Sequence, residues 1–397
     1  MFLSIRKHPF YKPLLWVSSL ILFAFLIWLG SSLVTNPKWF MGDDYVEYWA
    51  AGRLNLTGGN PYDPGQLHPL ELQSGVIQGE AVMMWNPPWL LTLVMPFGAL
   101  GYGLSRTLWL LLNIFLIAIS LNQIWKLYGG DFDLRWLAIA IGFTFAPILD
   151  GLKKGQTSVL LLFGVVGFLY FAKQKKWWLA GISLALLAVK PHILYLYLLA
   201  VLFWVVDQKQ WRIISGFLIA MITASAVAWL VNPDVIQQYL FAIANYPPAD
   251  WATPTIGGIL RILFGTERFW LQFLPAFFGI TWLIYYWFKQ RKEWDWLVQT
   301  PILILVSTLT AAYGWTWDQS VSIIAILSIT TLILPFQKNH STLIIIGTYL
   351  VINGLAIFIR GNQFWTFWFG SALLIWFLTA HFLIRSKSGS VNSQDFH

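Results

Sequence analysis

The chain has 397 residues, 58% hydrophobic and 11% charged, with a mean hydropathy of +0.64. A soluble domain carries about a quarter charged residues, so a soluble globular fold is excluded and an integral membrane protein is expected. The formal net charge of +8 then reports cytoplasmic loop bias rather than nucleic-acid binding, and zero cysteines exclude disulfides, thiol catalysis and Cys-ligated metals.

In chain order, the first apolar run, 14–34, exceeds a signal-peptide core and is followed by no A-x-A cleavage site, so it reads as a retained helix. A long first outer loop, 35–103, follows. It holds "GDDYVEYWAAGRLNLTGGNPYDP" (42–64), with a helix expected over 44–56 and a turn at GGNPYD. It also holds "WNPPWLLTLVMPFG" (85–98), too short and proline-broken to span, and expected to lie along the outer interface. Further spans are expected near 104–125, 135–149, 157–172, 177–190, 192–206, 211–231, 268–288, 296–313, 318–336, 341–360 and 363–384. That makes about 12 spans, each judged against the ~20 residues a crossing needs.

With the N-terminus inside, about 16 of the 25 Lys and Arg fall in inner connections, which the positive-inside bias favours. Both termini are then cytoplasmic. The segment 177–206 reads as a hairpin; the alternative is one long helix kinked at Pro191, which would reverse every later loop. Segments 135–149 and 177–190 are only about 21–23 Å long, short of a core of about 30 Å, and are expected to end below the outer surface and line a cavity there. The architecture is thus an all-α polytopic membrane protein, one domain over 1–384, with a polar cytoplasmic tail, 385–397, expected to be disordered.

Four stretches could carry chemistry. On a helix, Asp44, Glu47, Tyr48 and Ala51 share a face. Asp44 with Glu47 fits a capping box, yet a carboxylate at the outer membrane face also suits a general base for a sugar hydroxyl. Asp43 points about 100° away from Asp44, so the pair is a poor chelate, and no metal site is expected. In "DGLKKGQTS" (150–158), Lys153, Lys154 and Gln156 precede a helix N-terminus that Thr157 or Ser158 can cap. This is either an anion site or a solvated loop near headgroups. In "VKPH" (189–192), Lys190 stands in an otherwise apolar sequence and either takes an anionic partner or snorkels, with His192 beside it. "YGWTWDQ" (313–319) sets Asp318 and Gln319 among aromatics that either stack on sugars or anchor at the interface. Arg261, Arg268 and Arg360 are outer cations that could assist a phosphate.

In this order, DYVEYWAAGRLNLTGGNPYDP, WNPPW…PFG, DGLKKGQTS, AGISLALLAVKP and YGWTWDQ resemble blocks of glycosyltransferase family 87. These are bacterial mannosyltransferases of the GT-C membrane fold that use a polyprenyl-phosphate-mannose donor. The resemblance implies a GT-C-type fold in a bacterial plasma membrane, an outward-facing active site and a catalytic carboxylate at Asp44. It implies substrate contacts among Asp43, Glu47, Tyr48, Lys153, Lys154, Gln156, Lys190, His192, Asp318, Gln319 and Arg360. The partners implied are a polyprenyl-phosphate-linked sugar donor, a glycan or glycolipid acceptor and membrane lipids, with no cofactor and no nucleic acid. The expected reaction is an inverting, metal-independent hexose transfer. One departure is Gln319, where family members often carry His, with His192 the candidate replacement. The rival readings are a lipid or sugar transporter or flippase, which would favour inverted repeats and midplane charges, and an inactive envelope scaffold.

Overall fold

The computed structural model describes residues 11–76, 79–247, 251, 253–336, 340–359 and 361–391. Every regular element among them is helical. That follows from the solvent: in hydrocarbon each backbone N–H and C=O must find a partner within its own segment. Among the described residues, seven helices are long and apolar enough to cross a membrane, or eight if one bent pair is a single span.

The first crossing is α1 (Tyr11–Thr35). The long segment that follows then folds into α2 (Tyr45–Thr57), α3 (Pro64–Ser74) and α4 (Pro88–Gly98). After the long α5 (Tyr102–Leu127) come α6 (Arg135–Phe143) and α7 (Ala146–Lys154). Next are α8 (Ser158–Lys173), α9 (Trp177–Leu184), α10 (Tyr195–Gln208) and α11 (Arg212–Val231). The segment between α11 and the later crossings forms α12 (Val235–Asn245) and α13 (Ile256–Phe264). The chain closes with α14 (Leu274–Gln290), α15 (Trp296–Thr310), α16 (Ile323–Ile333), α17 (His340–Ile359) and α18 (Phe369–Val391).

Three expectations change. The segment 135–149 is not one helix: α6 and α7 meet at 61° and run on to Lys154. Pro147 opens α7, and Asn353 of α17 takes up the backbone groups freed at the bend. Its Nδ2 donates to the Thr144 carbonyl and its Oδ1 accepts from the Ala146 N–H, each at 2.9 Å. The helix expected to lie on the outer interface, α4, instead packs between α2 and α11, with Leu90, Leu91 and Val94 fully buried. The last helix continues to Val391, past residue 384 where the tail was expected to begin; residues 392–397 lie outside the described ones.

The 177–206 segment is a hairpin. The α9 segment continues as a tight turn, Ala185–Val189, and the chain reverses before α10. Trp177 and Trp204 then meet at 5.3 Å, ring centre to ring centre, so the chain has come back to the level where it started. At the same end Trp204 and Tyr197 pack on Trp296. On its other flank α9 crosses α11 at backbone contact. A Cβ on Gly181 would lie 2.0 Å from the Ile213 carbonyl oxygen, and one on Gly216 would lie 2.2 Å from that of Trp178. Without a hydrophobic drive between helices in lipid, such small-residue crossings are how close packing is achieved. One apolar core joins α5 to α11 and α14 to α18, and a second surrounds α2 and α4.

Candidate active site

The site grows from the turn before α2. Gly42 adopts φ +67° and its N–H donates to the Val76 carbonyl. The two carboxylates that follow then diverge. Asp43 turns inward, 2% exposed, and accepts from Arg106 Nε at 2.5 Å and Tyr102 OH at 2.7 Å. Burial pushes its carboxyl up to about 6, against the pull of Arg106. Arg106 is itself 1% exposed and donates to the Leu152 and Lys153 carbonyls at 2.8 and 3.0 Å. Asp43, expected at the substrate, is paired with Arg106, and the pair ties the segment before α2 to the end of α7.

Asp44 faces the other way. It occupies the N-cap position of α2, but its side chain makes no capping bond. Its Oδ2 accepts from Gln156 Nε2 at 2.7 Å and its Oδ1 from Lys154 Nζ at 3.3 Å. The capping-box alternative falls on this geometry, because the carboxylate is turned from the helix towards the 154–156 turn. The approach is close enough for Asp44 N–H to donate to the Lys154 carbonyl at 3.0 Å. Gly155 permits it: its φ is +67°, and a Cβ there would sit 2.6 Å from Tyr45 Cβ and 3.0 Å from the Arg106 guanidinium.

Gln156 links both sides of the site. Its Oε1 accepts from Tyr48 OH at 3.1 Å and from Lys190 Nζ at 2.9 Å, so its amide is oriented with nitrogen to Asp44 and oxygen to Lys190. Lys190 also donates to Asp318 Oδ1 at 2.8 Å, which settles the choice between snorkelling and pairing in favour of an anionic partner. Asp318 accepts in addition from Ser158 Oγ at 2.6 Å and the Trp315 N–H at 3.0 Å. Neither Thr157 nor Ser158 caps α8 through its side chain. Glu47 is buried beneath Asp44; burial holds its carboxyl well above the ordinary range, with the Asp44 charge adding to the shift.

Around this network, Asn86 donates to the Val189 carbonyl at 3.2 Å and Trp89 to the Ala188 carbonyl at 3.0 Å, fixing the turn that carries Lys190. Trp85, Trp251, Trp315 and Trp317 form a row of ring contacts at 5.9, 6.3 and 5.4 Å, drawn from three outer segments.

The structure thus brings Asp44, Glu47, Tyr48, Lys154, Gln156, Lys190 and Asp318 together. Lys153 is exposed and contributes its carbonyl to Arg106 instead of its ammonium to the site. His192 is exposed beside Lys190. Gln319 lines a narrow cleft with Ile193, Thr255 and Gly370, and Trp315 and Asp318 of the site line the same cleft. Arg261 is buried and donates to the Thr266 carbonyl at the end of α13, and Arg268 is an exposed partner of Glu267. Arg360 lies outside the described residues. No group of three or more His, Asp or Glu is placed to hold a metal ion among the described residues. Sequence reasoning missed Arg106 and Asn86. The available signal was a lone Arg at the mouth of an apolar span, which is a functional candidate by default.

Asp44, Glu47, Lys154, Lys190 and Asp318, with Tyr48 and Gln156, thus form one polar cluster in an otherwise apolar helical protein. The model of glycosyltransferase family 87 matches residues 85–335, more than half of the chain, which therefore belongs to that family and is a membrane glycosyltransferase. No curated protein and no solved structure matched the chain. The matched stretch takes in Arg106, Gln156, Lys190 and Asp318 but begins after Asp44.

Proposed function

We propose that this glycosyltransferase moves a hexose, mannose by the family resemblance, from a polyprenyl-phosphate donor to a hydroxyl of a glycan or glycolipid. The reaction inverts the anomeric centre on the outer face of a bacterial plasma membrane. Asp44 takes the proton of the acceptor hydroxyl, that oxygen bonds to the anomeric carbon, and the bond to the phosphate oxygen breaks with its electrons leaving on the phosphate. Asp44 carries the reading because it alone of the three clustered acids keeps solvent access, at 22% of its side chain, with its two oxygens held by Lys154 and Gln156. Lys154, 31% exposed, is placed to meet the departing phosphate, and Lys190 supports Gln156 from behind. The tryptophan row offers apolar faces for sugar rings beside the same turns.

The lengths and hydropathy of the helices support the 12-crossing, GT-C-type arrangement. The eight long or bent crossings are joined by the shorter apolar helices 158–173, 177–189, 195–208 and 296–310. Short crossings that stop at the site end are what a recessed active site needs. Orientation is tested by single cysteines in a chain that has none. Glu80→Cys and Glu267→Cys should react with an impermeant thiol reagent in intact cells, and Gln174→Cys should not; all three positions are exposed. The reaction is tested by transfer from labelled polyprenyl-phosphate hexoses. Wild type should transfer and Asp44→Asn should lose roughly 10²–10⁴-fold in rate. Transport of the lipid-linked sugar without transfer would instead support a flippase.

A further inference from the structure

Behind the Asp43 clamp, the outer end of α1, the helices α2 and α3 and the start of α5 leave a groove of about 360 Å³. That is within the range of small-ligand sites. Thr35, Trp49, Arg53, Gln73, Ser74 and Tyr102 supply its polar and aromatic lining. Arg53 is its one charged residue, and neither Asp nor Glu contributes to the wall. The guanidinium lies 5.3 Å from the Trp49 ring centre, half-buried, and makes no hydrogen bond or ion pair among the described residues. A cation kept partly out of water without an anion leaves charge and donors unused.

The groove is not the donor end of the active site. At about 100° per residue, Trp49 lies about 140° around α2 from Asp44, and Arg53 continues the Trp49 stripe one turn on. What the groove does adjoin is α1. The spanning part of that helix buries nothing, and Leu20, Ile21, Phe23 and Ile27 are 57–65% exposed. An apolar wall that ends at a cationic, polar pocket matches a molecule with hydrocarbon chains and an anionic head. Guanidinium and phosphate pair with two parallel hydrogen bonds, and the exposed Gln73 amide adds a donor.

We propose that this groove binds the phosphate headgroup of an anionic membrane lipid whose acyl chains lie along α1. The site is separate from the transfer chemistry. Its test reads lipid retention alone, so its failure is distinct from failure of the transferase reading. The protein is reconstituted in nanodiscs of equal phosphatidylglycerol and phosphatidylcholine and released for native mass spectrometry. Wild type should retain phosphatidylglycerol over phosphatidylcholine. Arg53→Gln should lower that retention roughly tenfold, as loss of a charge-assisted contact implies. Gln73→Glu, an exposed near-isosteric change that leaves Arg53 in place, should lower it as well, and it carries the test if Arg53→Gln fails to fold. Arg268→Gln, at an exposed outer cation, should leave it unchanged. Equal retention in wild type and both groove variants would overturn the proposal. So would full displacement of the lipid by millimolar inorganic phosphate, which would make the groove a site for the free anion.

Discussion

Asp43 and Asp44 are neighbours in the chain with opposite surroundings. Asp43 is buried and its partners are protein groups: Arg106 and Tyr102 hold the carboxylate, and Arg106 also grips the end of α7. Around Asp44 the partners are a half-exposed lysine and an amide, and the carboxylate still meets solvent. The first region spends a buried ion pair on position. The second keeps a charge at a distance where a hydroxyl could reach it. A buried pair adds little net stability, because desolvation offsets attraction, yet breaking it is expensive. The comparison teaches that residue type did not assign these roles; the direction of one peptide unit did.

Four measurements break or sharpen that contrast. The largest effect is expected at Asp44. Both Asp44→Asn and Asp44→Ala should lose roughly 10²–10⁴-fold in transfer rate, while melting in detergent with wild type, because the side chain caps nothing. A marked drop in melting temperature for Asp44→Ala alone would restore the capping role. At Arg106 the loss should appear in folding instead. Arg106→Met leaves Asp43 buried without its cation, and removal of one partner of such a pair costs about 3–5 kcal/mol. Denaturation in detergent would show it, and Asp43→Asn should cost less, since Tyr102 can still bond the amide. An Arg106→Met protein of unchanged stability would show that the clamp does not hold.

A smaller effect is expected at Gln156, which joins both regions to Lys190. Gln156→Leu removes the donor to Asp44 and the acceptor for Lys190. It should lower kcat by roughly 10- to 100-fold, from charge-assisted bonds of about 1.5–3 kcal/mol, with donor KM changed less. Equal loss in KM and none in kcat would make Gln156 a ground-state contact.

The smallest effect concerns pH. Glu71 is fully buried, accepts from the Val82 N–H at 3.0 Å, and burial pushes its carboxyl up to about 7 from 4.5. The folded protein therefore holds the proton that the unfolded chain releases. The contribution of Glu71 is fully present below pH 4.5 and is lost as pH rises towards about 7. Protection of the amides around Glu71 and Val82, taken relative to the intrinsic exchange rate at each pH, should fall over that interval in wild type, and Glu71→Gln should flatten the profile. An unchanged profile in Glu71→Gln would place the titration elsewhere.

Much of this was legible in the chain itself. Hydropathy and span length were sufficient for an all-helical membrane protein, because lipid leaves a backbone no other way to satisfy its polar groups. The lone charges in apolar surroundings, Lys190 and Asp318, were visible as candidates for the same reason: burying a charge in hydrocarbon is too costly to leave without a purpose. The hairpin at 177–206 was the arrangement the positive-inside bias favoured over one long helix kinked at Pro191. What the chain alone left open was which of two adjacent aspartates faces water, that Arg106 reaches Asp43 across 63 residues, and that Lys190 reaches Asp318 across 128. It also left open that Pro88–Gly98 is covered by protein on both sides, and that α6 bends where Asn353 accepts the freed backbone. These depend on which helices lie side by side. Periodicity states that a face is apolar or charged; only the packed neighbour decides whether that face meets lipid, water or a partner of opposite charge.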